Sequence, residues 1–153
     1  MADSHKTQNI YDDPQFFAGY ATLPRSQHGL DGAPEWPALR ALLPELSGKR
    51  VVDLGCGYGW FCRFAREAGA ANVTGIDVSQ KMLEKAREMT TLDDIVWQHA
   101  DLESLALPAG CADLVYSSLA LHYLTHIDSL FHTVFEALTP GGMLIFSAEH
   151  PIY

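Results

Sequence analysis

Asp53-Leu54-Gly55-Cys56-Gly57-Tyr58-Gly59 decides the fold of this chain, because it joins a predicted buried strand to a predicted helix. The strand begins with Arg50-Val51-Val52, and the helix starts at Trp60 and ends at Gly69. A strand, a glycine turn and a helix in that order make a nucleotide-binding corner. Glycine removes side chains where a ligand approaches the backbone and permits positive φ in the turn.

The spacing of the glycines indicates which nucleotide this corner suits. The dinucleotide fingerprint G-x-G-x-x-G needs its third glycine for close packing of helix on strand, and Trp60 occupies that position here. The glycines run G-x-G-x-G instead, with the acid Asp53 two residues before the first of them. This pattern resembles motif I of the class I S-adenosylmethionine-dependent methyltransferases. An ordinary tight strand-to-helix turn is the alternative interpretation.

Strands and helices alternate along the chain after residue 50. Strands separated by helix-length segments imply parallel pairing with right-handed crossovers. We therefore predict an α/β, doubly wound, Rossmann-like methyltransferase fold with a mostly parallel sheet in which strands one to five are present. The strands are expected at 50–54, 72–76, 95–99, around 114–116 and 143–147, and the main helices at about 59–68, 79–89 and 128–138.

The chain divides into two predicted parts. Residues 1–33 are expected to be a disordered segment followed by a lid-like helix that starts at Pro14. Residues 34–153 are expected to be the S-adenosylmethionine-binding methyltransferase domain. The first part is rich in aromatic side chains, which either close over the cofactor, as in similar small-molecule methyltransferases, or simply pack on the domain. These side chains are Tyr11, Phe16, Phe17 and Tyr20.

The resemblance covers only the front of the family's fold. Class I methyltransferases normally carry seven strands, whereas this sequence stops at Tyr153, just after the predicted fifth strand. We expect a C-terminally incomplete domain with an exposed apolar edge. If nothing follows residue 153, such an edge invites pairing with another chain, so we expect either a shortened product or a homodimer through the fifth strand.

Composition and charge exclude several classes of protein. The 153 residues are 48% hydrophobic and 19% charged, with a formal net charge of -9 and no basic stripe, so we expect no nucleic-acid partner. No apolar run approaches the ~20 residues that a membrane helix needs, and the N-terminus lacks the apolar core of a signal peptide. Three widely spaced cysteines suit reduced thiols, which predicts a cytoplasmic protein without a membrane association.

The resemblance assigns cofactor-binding roles around the glycine turn and the second strand. Asp77 matches the acid that accepts hydrogen bonds from both ribose hydroxyls, although an acid there also suits NAD. Val78 and Met82 match apolar walls for adenine, and plain core packing is the alternative for Met82. The turn itself contributes Asp53, Gly55, Cys56, Gly57, Gly59 and Trp60.

Two further segments match the family's later motifs. At the end of the third strand, Ala100-Asp101-Leu102 matches the position where an acid and the next backbone amide meet adenine, and a cap on a short turn is the alternative role for Asp101. Asp113 to Tyr123 resembles motif IV, which places Ser117 near the sulfonium. His122 is the candidate catalytic base, and structural packing is its alternative role.

No metal site is predicted. His122 and His126 lie four residues apart, but zinc needs a third and usually a fourth ligand, and the glutamate of the H-E-x-x-H motif is missing. The resemblance therefore implies S-adenosylmethionine-dependent methyl transfer to a small-molecule acceptor. One alternative is a non-catalytic cofactor-binding domain or fragment that lacks an acceptor pocket. The other, an NAD-dependent oxidoreductase, is disfavoured by Trp60.

Overall fold

The computed structural model describes residues 12–20, 27–91, 94–118 and 124–148. Five α-helices and five strands alternate along most of this part of the chain. Two short 3-10 turns, Gly29–Gly32 and Leu102–Ser104, complete the regular structure. The helices are α1 (Pro14–Tyr20), α2 (Trp36–Leu42), α3 (Trp60–Glu67), α4 (Gln80–Met89) and α5 (Ile127–Ala137), and the strands are β1 (Arg50–Leu54), β2 (Asn72–Asp77), β3 (Ile95–His99), β4 (Ala112–Ser118) and β5 (Leu138–Ser147).

The strands form one parallel sheet in the order β3-β2-β1-β4-β5. This confirms the predicted doubly wound α/β fold. After β1 the chain adds β2 and β3 toward one edge of the sheet. It then crosses back to the other side of β1 and adds β4 and β5 toward the other edge. The direction of winding therefore reverses between β1 and β4, and ligands bind outside the carboxyl ends of the strands at such a point.

Two apolar clusters cover the two faces of the sheet. Successive side chains of a strand point to opposite faces, so Val51 and Val52 of β1 enter different clusters, as do Leu114 and Val115 of β4. Both central strands are buried on both sides, which is expected when helices flank a parallel sheet. Helices α2 and α3 supply Trp36, Leu39, Phe61 and Cys62 to the first cluster, and α5 supplies Leu130 and Val134 to the second.

The structure changes three predicted boundaries. Strand β5 begins at Leu138, because Leu138 pairs with Ala112 before an irregularity in the register, and the regular ladder resumes where Leu114 pairs with Met143. The Pro140-Gly141-Gly142 segment, which has the composition of a turn, lies within this irregular strand. Helix α5 begins at Ile127 with His126 as its N-cap, one residue before the predicted start at 128. The fourth strand, predicted around 114–116, extends over Ala112–Ser118.

An acidic side chain ties three strands together at their amino ends. The Asp113 carboxylate of β4 accepts a 2.9 Å hydrogen bond from the backbone N–H of Arg50 in β1, and the Arg50 guanidinium pairs with it at 3.3 Å. Thr139 of β5 donates its hydroxyl to the same carboxylate. These hydrogen bonds, led by that from the Arg50 side chain, lower the pKa of Asp113 to about 2.

Strand β5 lies at one edge of the sheet, since no strand among the described residues pairs with its outer side. Met143 and Phe146 of this strand are 41% and 43% exposed, and Phe135 of α5 is 75% exposed. The predicted apolar edge is therefore present within the described residues.

No helix in the described segments is both long enough and apolar enough to cross a membrane.

Candidate active site

The glycine turn leaves the carboxyl end of β1 and is fastened to β2. The backbone N–H groups of Gly55 and Cys56 both donate to the carbonyl oxygen of Ile76, at 2.8 and 3.0 Å. Gly55, Gly57 and Gly59 have φ values of 74°, 54° and 81°. Because this left-handed conformation favours glycine, the G-x-G-x-G spacing follows directly from the path of the backbone.

Gly59 is also required by its surroundings. A Cβ atom at this position would lie 2.4 Å from the Trp97 ring, which is closer than any stable carbon contact. Trp97 belongs to β3, so an aromatic ring from the far edge of the sheet lies directly against the start of α3. Glycine at this position therefore satisfies both a backbone conformation and a close approach.

Asp77 at the end of β2 holds the middle of the turn. One carboxylate oxygen accepts a 2.9 Å hydrogen bond from Gly57 N–H, and the other accepts a 2.8 Å bond from Ser79 N–H. Burial raises the pKa of this side chain. A carboxylate accepts up to about four hydrogen bonds, so these two leave acceptor capacity for a vicinal diol.

Asp53 lies beneath the turn and is only 3% exposed. The Cys62 thiol of α3 donates to its carboxyl group at 3.6 Å. Burial raises the pKa of Asp53 to about 8, the Cys62 hydrogen bond opposes this rise, and the nearby Asp77 charge adds to it. The pKa of the Cys56 thiol is also raised well above its usual value, first by a hydrogen bond with Cys62 and then by burial.

A cavity of about 100 Å³ opens beside the glycine turn, at the point where the winding reverses. On one side it is lined by Asp53, Gly55, Cys56, Gly57, Tyr58 and Trp60. An aromatic wall also lines the cavity, where Phe61 stacks on Tyr116 with 3.6 Å between ring centroids and 10° between planes. Trp36 packs edge-on against Phe61 and extends this wall.

Trp60 occupies the position of the third dinucleotide glycine and lines the cavity. Its ring lies against Gly29, where a Cβ atom would be 2.6 Å from the indole, and the Arg63 guanidinium lies 4.8 Å from the ring centre. The indole nitrogen is buried and has no hydrogen-bond partner among the described residues. This N–H group is thus an unsatisfied buried donor in a residue that lines the cavity.

The two serines at the end of β4 have different environments. The Ser117 hydroxyl is fully buried and donates to the Leu54 carbonyl at 2.8 Å, so in this structure it joins β4 to β1. Ser118 lies on the same face as Tyr116 and lines the cavity, where its hydroxyl donates to Glu35 at 3.1 Å. Sequence analysis named Ser117 and missed both Ser118 and Glu35.

The sequence patterns that could have identified Ser118 and Glu35 differ. The two-residue alternation of a strand would have placed Ser118 on the same face as Tyr116. Glu35 gave no local signal, because its position depends on how the start of α2 packs against the sheet. Both residues meet in the cavity although 83 positions separate them.

The residues proposed for adenine lie near the carboxyl ends of β2 and β3. The Ala100 N–H donates to the Asp77 carbonyl at 3.0 Å, and the Val78 carbonyl bonds a His99 ring nitrogen at 2.8 Å. Asp101 accepts from Glu103 N–H and caps the short turn Leu102–Ser104. Met82 and Leu102 are 2% and 5% exposed, so both are core side chains here.

The described part of the N-terminal segment lies against the same site. The Asp12 carboxylate accepts a 2.6 Å bond from the Ser79 hydroxyl and a 3.1 Å bond from the Lys81 N–H, at the start of α4. Phe17 of α1 packs edge-on against Tyr58 of the glycine turn, with 6.0 Å between centroids. The candidate base His122 and the aromatic residue Tyr11 lie outside the described residues.

Within the described segments, no three or more histidine, cysteine, aspartate or glutamate side chains are grouped so that they could hold an ion.

The fold and the site define a Rossmann-like nucleotide-binding domain whose cavity lies at the winding reversal. A family model described as a methyltransferase domain matches residues 52–146. The chain belongs to this family, the S-adenosylmethionine-dependent methyltransferases, and S-adenosylmethionine is the cofactor that the family uses. The resemblance to motif I is thereby confirmed.

Relatives and solved structures agree with this assignment. The crystal structure of an S-adenosylmethionine-dependent methyltransferase from Mesorhizobium loti is 59% identical, with a TM-score of 0.80, and covers 82% of this chain and 57% of that one. A malonyl-[acyl-carrier protein] O-methyltransferase of Pectobacterium atrosepticum is 38% identical and covers 71% of this chain and 42% of that one. A trans-aconitate 2-methyltransferase of Deinococcus radiodurans is 37% identical, covering 79% and 46%. The chain thus spans about half the length of these relatives.

Proposed function

We propose that this protein transfers a methyl group from S-adenosylmethionine to a small-molecule acceptor. The observation that carries the proposal is the bond between Asp77 and Gly57 N–H beside the cavity. It brings the acid proposed to bind ribose next to the turn proposed to meet the methionine part of the cofactor. The cavity then extends from that turn toward the carboxyl end of β4.

The residues of the site have distinct roles in this proposal. Asp77 accepts hydrogen bonds from the ribose diol, and the Val78 and Ala100–Leu102 segments border adenine. The glycine turn, with Asp53 beneath it and Trp60 at its end, holds the methionine portion. His122 is retained as a candidate base for the acceptor.

The protein contributes mainly positioning to such a reaction. S-adenosylmethionine supplies an already activated methyl group on a sulfonium, so the cofactor carries the difficult chemistry. Holding donor and acceptor at near-attack distance is worth several kcal/mol. In this proposal the aromatic wall formed by Trp36, Phe61 and Tyr116 provides an apolar surface for the acceptor.

The names of the two relatives support a small-molecule acceptor and leave its chemical class open. A malonyl group and trans-aconitate both carry carboxylates, and those names apply to proteins about twice as long as this chain. From these names we therefore propose methyl transfer to a small molecule, without specifying which atom is methylated.

The proposal also covers the binding partners and the cellular location of the protein. The net charge of -9 supports the absence of a nucleic-acid partner, and three free cysteines support a reducing, cytoplasmic location. The exposed Met143 and Phe146 on edge strand β5 support pairing between two copies of the chain. Sedimentation across a range of protein concentrations tests this pairing, since a strictly monomeric chain contradicts it.

Calorimetric titration with S-adenosylhomocysteine, with NAD in parallel, tests the cofactor part of the proposal. We expect S-adenosylhomocysteine to bind and NAD not to bind. Binding of NAD instead would support the oxidoreductase alternative. Tight binding of S-adenosylhomocysteine without transfer of radiolabelled methyl groups to any small acceptor would favour the non-catalytic domain.

A further inference from the structure

We propose that Asp53 distinguishes the charged cofactor from its spent form: it releases its proton when S-adenosylmethionine binds and takes a proton back once the sulfonium charge has gone. This inference rests on the proposed methyl transfer and concerns the same site. It gives Asp53 a role in specificity for the cofactor over the product, beyond that of bordering the methionine portion.

The first support is the position of Asp53 between the core and the cavity. The residue lies on β1 just before the glycine turn, is almost fully buried, and lines the cavity next to Gly55 and Gly57. Its carboxyl group is held from behind by the Cys62 thiol of α3, at 3.6 Å. Because water screens a buried group little, a charge that enters the cavity acts strongly on this carboxyl group.

The second support is the protonation of Asp53 in the free protein. Burial raises its pKa to about 8, the charge of Asp77 adds to this rise, and the hydrogen bond from Cys62 opposes it. The side chain is therefore neutral at neutral pH and has a proton to lose. The elements packed around it carry these ionisable groups: Cys56 in the turn, Cys62 and Arg63 of α3, Asp77 of β2, Tyr116 as its register partner in β4, and Glu35 at the start of α2.

The orientation of the Arg63 guanidinium bears on this protonation. It donates to the Tyr58 carbonyl at 2.7 Å and to the Thr90 hydroxyl at 3.0 Å. These bonds tie the guanidinium to the outer side of the turn and to the end of α4. The raised pKa of Asp53 shows that this cation does not offset the cost of burying the carboxylate.

The third support is the change of charge during the proposed reaction. A positive charge within about 4–6 Å favours the ionised form of a carboxyl group, so a sulfonium bound on the glycine turn lowers the pKa of Asp53. In methyl transfer, sulfur keeps the electron pair of the S–CH3 bond and becomes a neutral thioether. Asp53 then regains a proton from solvent, and the product loses an attraction that the cofactor had.

Proton release is measured by calorimetric titration of the chain with S-adenosylmethionine at about pH 7, in buffers with different enthalpies of ionisation. We expect release of about half a proton to one proton per cofactor bound, and clearly less in Asp53→Asn, whose amide cannot ionise. Asp128→Asn removes an exposed carboxylate from α5 and should release as many protons as the wild-type chain.

A second measurement isolates the sulfonium and needs no variant. S-adenosylmethionine and S-adenosylhomocysteine share their adenine, ribose and amino-acid groups, so the ratio of their dissociation constants cancels the titration of those groups. In the wild-type chain, the preference for S-adenosylmethionine should rise about tenfold between about pH 6 and about pH 8. The ratio should stay flat over this range in Asp53→Asn.

Three outcomes would overturn the inference: binding of S-adenosylmethionine without proton release, equal release by the wild-type chain and Asp53→Asn, or a ratio that does not change with pH in the wild-type chain. Each of these leaves the proposed function intact as long as both ligands bind. If neither ligand binds, the proposed function itself fails, and the two failures are thus distinguishable.

Discussion

The carboxylate of Asp77 and the backbone N–H of Gly57 are joined by a 2.9 Å hydrogen bond that connects the end of β2 to the turn after β1. The same carboxylate also accepts from Ser79 N–H at the start of α4. One side chain therefore organises both loops that border the proposed cofactor site. Its removal should affect stability and ligand affinity together.

Replacing Asp77 with alanine should lower the free energy of unfolding by about 1–3 kcal/mol, because the Gly57 and Ser79 N–H groups lose their buried acceptor. We also expect the affinity for S-adenosylhomocysteine to fall by at least about tenfold, from loss of the bonds to ribose. Urea unfolding and calorimetry measure the two effects. Asp128→Asn, at an exposed position in the first turn of α5, is the matched control. Wild-type affinity in Asp77→Ala would contradict the ribose assignment.

Asp53 should make the protein less stable as the pH rises. Burial raises its pKa to about 8 from the usual 3.8, so between these values the folded state binds more protons than the unfolded state. The free energy of unfolding then falls as pH increases, by up to about 1.4 kcal/mol per pH unit from this group. It stops falling once the pH passes the folded-state pKa.

Asp53→Asn tests this relationship, because the amide has the same shape and cannot ionise. Urea unfolding from about pH 5 to about pH 8 should show a flatter profile for the variant, which should also be the more stable protein near pH 8. Some slope should remain, since burial raises the pKa of Asp77 as well. If the free energy of unfolding changes equally with pH in the two proteins, Asp53 is not the group that binds the extra proton in the folded state.

Gly59→Ala should be destabilising for two separable reasons, the positive φ of 81° and the contact with Trp97. Gly141 has a φ of 84° with nothing within 4 Å of the position of a Cβ atom, so Gly141→Ala carries the backbone cost alone. We expect that control to lose about 1–2 kcal/mol of stability and Gly59→Ala to lose clearly more. Thermal unfolding measures the difference, and equal losses would mean that Trp97 moves aside at no cost.

The N-terminal segment is predicted to act as a lid over the site, and we expect Asp12 to hold it against the start of α4. Its carboxylate accepts from the Ser79 hydroxyl and the Lys81 N–H, so Asp12→Ala removes both bonds. We expect S-adenosylhomocysteine to dissociate several times faster, as for a loosened lid, in a stopped-flow displacement experiment. Glu84→Ala, on the exposed face of the same helix, is the control. An unchanged dissociation rate would favour simple packing of this segment on the domain.

Much of the fold was predictable because its signals are local. The glycine turn and the hydrophobic pattern of each individual strand and helix are encoded within about ten neighbouring residues. The start of β5 was not predictable in this way. Pro140-Gly141-Gly142 has the composition of a turn, whereas its strand character comes from pairing with β4 across an irregular register.

The site was predictable where the motif is continuous and less so where distant segments meet. Asp53, Gly57 and Asp77 were named from their spacing, and the structure brings them together at the turn. Glu35 and Ser118 were missed, because their contact depends on how α2 packs against the sheet. Local spacing therefore identifies the residues around the glycine turn, whereas the contact between Glu35 and Ser118 is visible only in the packed structure.

The positions of Trp36, Trp60 and Trp97 have a practical consequence. These are the three tryptophans of the chain: the first two line the cavity, and the third lies against Gly59. Every indole fluorophore of the protein is thus within or next to the proposed binding region, and none reports on a remote surface. Intrinsic emission should therefore respond directly to occupancy, which allows candidate acceptors to be screened in solution without attaching a label.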